Sequence, residues 1–243
     1  MSNLIDALKK IAKESPLNQY EWGFPTDCPI DIPAEYKDSY LQNIYLKDNF
    51  REKILGDDSL DSHYWAIQNW GGIGSFRRNE RNDLRIKKFL DELNKGTLTR
   101  NSFECISSLS KVASFINPDE YAIYDSRAIY TLNWLLFNHS ESSKLFRQPI
   151  GRSANLSKYD METIFNLTKR EFNFLSHKEA FHSYCGLVKH FACEIYGPGS
   201  KPYLAEMLLF MVAPTRIIKE IEDTVSLTIT KTHNATTHKE AVQ

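Results

Sequence analysis

The sequence predicts a mostly α protein, a set of helices joined by short connections. Two observations carry that reading. Apolar residues recur at intervals of three and four in segment after segment, which is the period of a helix with one buried face. Most glycines and prolines fall between those segments, where each would stop a helix. No internal repeat interrupts the pattern.

The elements follow in order. Residues 1–16 place Leu4, Ile5, Leu8 and Ile11 on one side of a helix. Residues 21–35 (EWGFPTDCPIDIPAE) are aperiodic and dotted with proline, so an irregular arm is expected. A helical pattern spans 40–54 and breaks at Gly-Asp-Asp-Ser, and a short aromatic helix over 59–70 ends at Gly71-Gly72. Leu84, Ile86, Phe89, Leu90 and Leu93 form the next apolar set, with Gly96 as the stop. Phe103, Ile106, Leu109, Val112 and Ile116 continue the period until Asn117-Pro118, where the residue before proline leaves the α region. A strong helix follows over 126–137, then a polar loop over 138–158. Helices near 160–174 and 178–196, a Gly-Pro-Gly break at 197–199 and a last helix from 202 to about 221 complete the chain. The β-branched, polar tail is expected to fray or add one edge strand. The division is one helical domain over 1–222, its arm covering about 1–58, with a polar tail over 223–243.

With 243 residues and 42% hydrophobic content, the chain can bury a substantial core. Thirty basic residues against thirty-one acidic ones leave no global field that advertises a polyanion, so any nucleic-acid contact must come from a local patch. No apolar run approaches a membrane span, and the N-terminal pattern lacks the apolar stretch and cleavage site of a signal peptide. Four cysteines without paired spacing fit reduced thiols in a cytoplasm.

The chemistry-bearing stretch is SLSKVASFINPDEYAIYDSR, residues 108–127. Asp125 follows the run Tyr121-Ala122-Ile123-Tyr124 and opens a helix, where the first free amides and the helix dipole favour an ionised carboxylate. Taken singly, Asp125 reads as a helix cap and Lys111 as a solvent-reaching lysine beside an apolar stripe. Taken together, Lys111-Val112-Ala113, the loop Phe115-Ile116-Asn117-Pro118, and Ile123-Tyr124-Asp125 resemble the helix-hairpin-helix DNA glycosylases. The closest likeness is to the 8-oxoguanine DNA glycosylase branch. The motifs cover roughly residues 100–137.

That resemblance implies a multi-helix glycosylase-like fold with a variant helix-hairpin-helix and an irregular N-terminal arm. It implies cleavage of the bond between a damaged or modified base and its sugar in double-stranded DNA, with no cofactor and by a monomer. Lys111 would be the amine that forms a Schiff base, which can lead on to strand cleavage. Asp125 would be the carboxylate that activates it and stabilises the sugar cation. The family's hairpin turn carries glycines that approach a DNA phosphate. The corresponding residues here, Ser107, Ser108, Leu109 and Ser110, contain none, so the serines stand in as phosphate donors. Arg127 occupies a position where the family often has histidine, and is a candidate for holding a phosphate or lowering the lysine pKa, or else a solvent-exposed residue of the first turn. The same fold stripped of catalysis, a nucleic-acid- or protein-binding module, is the alternative.

Other signals are weaker. Residues 76–100 hold eight Lys/Arg against four Asp/Glu, so Arg77, Arg78 and Arg81 are candidates for tracking phosphates, or else the polar face of a solvated helix. Trp65 and Trp70 are candidates for a base pocket or a wedge, or else core. His182, Cys185, His190 and Cys193 are zinc-ligand types on one arc. However, eleven residues of helix separate the outer two by about 16 Å, too far to share one ion. Gly71-Gly72-Ile73-Gly74 lacks the spacing of a phosphate-binding loop and reads as a helix end.

Overall fold

Leu4, Ile5, Leu8 and Ile11 are all buried along α1 (Ser2–Glu14) in the computed structural model of the protein, which describes residues 2–151, 153–168 and 170–226. This helix packs on α8 (Ser126–His139) and α11 (Ala180–Tyr196), which with α12 (Pro202–Val212) form the central layer. A single 3₁₀ turn, Leu17–Gln19, leads into the irregular arm, which has no regular element before residue 39. Asp38 then accepts a hydrogen bond from the Leu41 amide at 2.7 Å and starts α2 (Ser39–Asn49). A short α3 (Arg51–Leu55) continues it, so that Leu46, Phe50 and Ile54 enter the core.

The aromatic segment forms α4 (Asp61–Trp65), which widens at its end into a π turn over Ala66–Trp70. Asn79 caps α5 (Glu80–Lys95), and Gly96 ends it at φ 70°, a left-handed conformation that favours glycine. On α5, Ile86, Phe89 and Leu93 are buried as the periodicity predicts, whereas Leu84 is 60% exposed. The buried stripe begins at Asn82, one turn before Ile86, rather than at Leu84.

Helices α6 (Arg100–Phe103) and α7 (Ile106–Ile116) meet at Glu104-Cys105. This corrects the position of the turn: Ser107, Ser108 and Ser110 lie inside α7, not in a hairpin loop. The Ser110 hydroxyl accepts from the Tyr124 amide fourteen residues on, whereas the Ser107 hydroxyl is buried without a partner. The expected loop over 138–158 holds β1 (Lys144–Leu145) and α9 (Ala154–Lys158). The expected helix over 160–174 closes after α10 (Met161–Leu167), and β2 (Asn173–Phe174) pairs in parallel with β1. Past α12, a π turn at Ala213–Ile217 carries the chain into α13 (Ile218–Thr224). The tail beyond residue 226, with its expected edge strand, lies outside the described residues. Among the described residues no helix is long and apolar enough to cross a membrane.

Candidate active site

One wall of the site is α7. Its apolar residues Ile106, Leu109, Val112 and Ala113 hold it in the core, which draws Lys111 inside with them, 5% exposed. The Lys111 ammonium donates to the Ser107 carbonyl at 3.0 Å, one turn back. Its stem runs under Gly71: a Cβ at Gly71 would sit 2.3 Å from the Lys111 Cδ. The π turn just before, closed by the Ile73 amide on the Ile67 carbonyl at 3.0 Å, brings this glycine and Trp70 against α7.

The opposite wall begins at Asp125, the N-cap of α8, whose carboxylate accepts from the Arg127 amide at 2.7 Å. Two hydroxyls fix the segment before it. The Ser110 hydroxyl accepts from the Tyr124 amide at 3.0 Å, and the Tyr184 hydroxyl donates to the Ile123 carbonyl at 2.9 Å. Because Ser110 adjoins Lys111, that first bond sets the distance between α7 and the segment that carries Asp125.

Between the walls lies a cavity of about 670 Å³. Lys111, Asp125, Ser107, Ser108, Arg127 and Trp70 all face it, and so do Tyr20, Trp22, Phe210 and Glu206. The aromatic side is braced. Trp22 donates to the Trp70 carbonyl at 2.8 Å, Trp70 donates to Asn43 Oδ1 at 2.7 Å, and Trp22 meets Phe210 edge-on at 5.4 Å. The Arg127 guanidinium sits 4.7 Å over the Phe210 ring.

Charge in this site is buried and costly. Burial lowers the Lys111 pKa, opposed by the nearby Asp125 and Glu206 carboxylates. Glu206 is 2% exposed, and burial raises its pKa against the pull of Lys47. Lys47 is equally enclosed, and burial lowers its pKa, offset by Glu206 and reinforced by the Lys111 charge. Its ammonium donates to Ser114 Oγ at 2.6 Å and lies 4.8 Å from the Trp70 ring centroid and 4.6 Å from that of Phe115. The cavity thus brings together a primary amine of reduced basicity, a helix-capping carboxylate and several aromatic side chains.

The other expected site residues stand elsewhere. Trp65 is core, 5.1 Å from Phe50, with its indole N–H on Asp27, and does not reach the cavity. Ser110 is fully buried and committed to Tyr124, so it has no face for a phosphate. Arg78 pairs with Asp61 and the Ser59 carbonyl, while Arg77 and Arg81 are exposed; none of the three lines the cavity. On α11, the Cys185 thiol accepts from the Ala122 amide at 3.5 Å and is pushed up to about 12 by burial. Among the described residues no group of three or more candidate metal ligands converges.

Sequence reasoning missed Glu206, Lys47 and the arm residues Tyr20 and Trp22. For Glu206 the signal was present: it is the sole charge in Pro202–Val212, PYLAEMLLFMV. For Tyr20 and Trp22 there was none, since an aperiodic segment does not reveal what it packs on. Compared with protein-family descriptions, curated proteins and solved structures, the chain matches none of them.

Proposed function

We propose that this protein is a DNA base-excision glycosylase that uses Lys111 as its nucleophile. The observation that carries the reading is the shared cavity. Lys111, deprived of solvent, and Asp125, held at a helix N-terminus, face one space large enough for a flipped nucleoside. In the reaction the neutral Lys111 amine attacks C1′ of the deoxyribose. The glycosidic bond breaks with its electron pair on the departing base, which takes a proton from water as it leaves. The new C1′ ammonium gives a proton to Asp125; the nitrogen lone pair then breaks the C1′–O4′ bond, O4′ takes that proton back from Asp125, and a protonated imine remains between Nζ and C1′. Asp125 also offsets the positive charge that grows on the sugar in the transition state. Ser108 and Arg127, on the cavity lining, are the groups assigned to the adjoining backbone, whereas the Ser107 hydroxyl is buried without a partner.

The test is borohydride trapping on duplexes that carry oxidised, deaminated, alkylated or hypermodified bases. Wild-type protein is expected to form a covalent adduct with one of them, and Lys111→Ala none. Base release without trapping, lost in Asp125→Asn, would instead assign attack to water and leave Lys111 a binding role. No release from any duplex would point to the non-catalytic module.

A further inference from the structure

Glu206 is a buried ionisable group on the cavity wall that the proposed reaction leaves unused. It stands on α12, the only charge in eleven residues otherwise apolar apart from Tyr203 and Pro202, and only 2% of its surface is exposed. Among the described residues no hydrogen bond or ion pair engages its carboxylate, which faces the cavity. A buried carboxyl group without a partner is strongly destabilising, and natural cores satisfy such groups. Lys47 lessens that cost through space, yet its ammonium is spent on Ser114 and on two aromatic faces. Its carboxylate is therefore free to engage a group that enters the cavity.

The surroundings restrict that partner. Tyr20, Trp22, Trp70 and Phe210 line the cavity with Glu206, so the entering group is flat and stacks. As a carboxylate Glu206 is acceptor-only, so the edge turned to it carries an N–H donor; only the protonated acid would donate to a carbonyl there. We propose that Glu206 is a specificity-determining residue that accepts a hydrogen bond from the exocyclic amino group of a planar heterocycle held among these aromatics. This rests on the reading that the cavity receives an extruded base, and it adds which edge of the base is read. It is independent of whether Lys111 forms an imine.

The experiment uses nucleosides that differ only in an amino group, titrated into the full chain and followed by tryptophan fluorescence, since Trp22 and Trp70 face the cavity. Guanosine against inosine and adenosine against purine riboside are the pairs. One amino-bearing member is expected to bind about tenfold or more tightly than its partner, the discrimination of a charge-assisted hydrogen bond. Glu206→Leu is expected to remove the preference. Glu206→Gln, which keeps a carbonyl acceptor and nearly the same shape, is expected to retain part of it and guards against a folding defect in the leucine variant. Equal binding within both pairs, a preference that survives Glu206→Leu, or no binding of any nucleoside would overturn the assignment. Borohydride trapping, scored separately, reports on Lys111 alone, so the two ideas fail by different signs.

Discussion

At the scale of single residues, the site depends on how little room surrounds Lys111. Its ammonium is made less stable by burial, so the neutral amine appears at a lower pH than for an exposed lysine. The amine fraction rises as pH rises through the folded-state pKa. Imine trapping is therefore expected to increase with pH and to level off below 10.5, the ordinary lysine value. A rate still climbing past that point would mean an unshifted lysine. Gly71 is the structural condition for this placement. In Gly71→Ala the new methyl meets the Lys111 stem at 2.3 Å and the Ile67 carbonyl at 2.6 Å, and the backbone atom does not yield cheaply. A loss of about 1–3 kcal/mol in urea unfolding is expected, together with loss of trapping as the amine is pushed aside.

At the scale of elements, α7 and α8 are two rigid supports joined by few contacts that matter for the chemistry. Asp125 has two duties that substitution can separate. Asparagine still caps a helix, so Asp125→Asn is expected to leave the thermal midpoint nearly unchanged while base release collapses. Asp125→Ala should lose both, with about 1 kcal/mol of stability gone with the cap. Equal activity in the asparagine variant would reduce Asp125 to a cap. Ser110→Ala strips the buried Tyr124 amide of its acceptor, at a cost of about 1–3 kcal/mol in urea unfolding. Because that bond spaces Asp125 from Lys111, activity should fall with it although Ser110 touches no substrate. The same bond occupies the Ser110 hydroxyl on the inner face of α7, away from the surface.

At the scale of the whole molecule, the fold buries Lys47, Lys111 and Glu206 in or beside one cavity, a placement that works against stability. Burial raises the Glu206 pKa above 4.5, so between that value and the folded one the native state holds the extra proton. Stability falls as pH rises through that window. Burial lowers the Lys47 pKa below 10.5, so above its folded value the unfolded chain holds the extra proton, and stability rises with pH there. The two contributions together predict a dip in the urea midpoint near neutral pH. The double variant Lys47→Met/Glu206→Leu is expected to lose the dip and to be as stable as wild type or more so, by up to about 4 kcal/mol. A double variant markedly less stable would mean that these charges serve the fold rather than the site.

The sequence by itself determined the helical architecture, because periodicity, caps and Gly or Pro stops are local properties. Leu4 to Ile11, Gly96 at the end of α5, and Asp125 ahead of α8 all behave as their spacing requires. It also singled out Lys111 and Asp125, since their order along the chain carries the resemblance. Where the glycine-free serines sit was beyond its reach, because serine suits a turn or a helix according to its partner, and that partner, Tyr124, is fourteen residues away from Ser110. Only the tertiary structure decided that Trp70 faces the cavity while Trp65 is core, that the aperiodic arm supplies Tyr20 and Trp22, and that Lys47 and Glu206 lie with Lys111. These are long-range placements: helices far apart in the chain share one cavity, and the burial that shifts their charges exists only once they have packed.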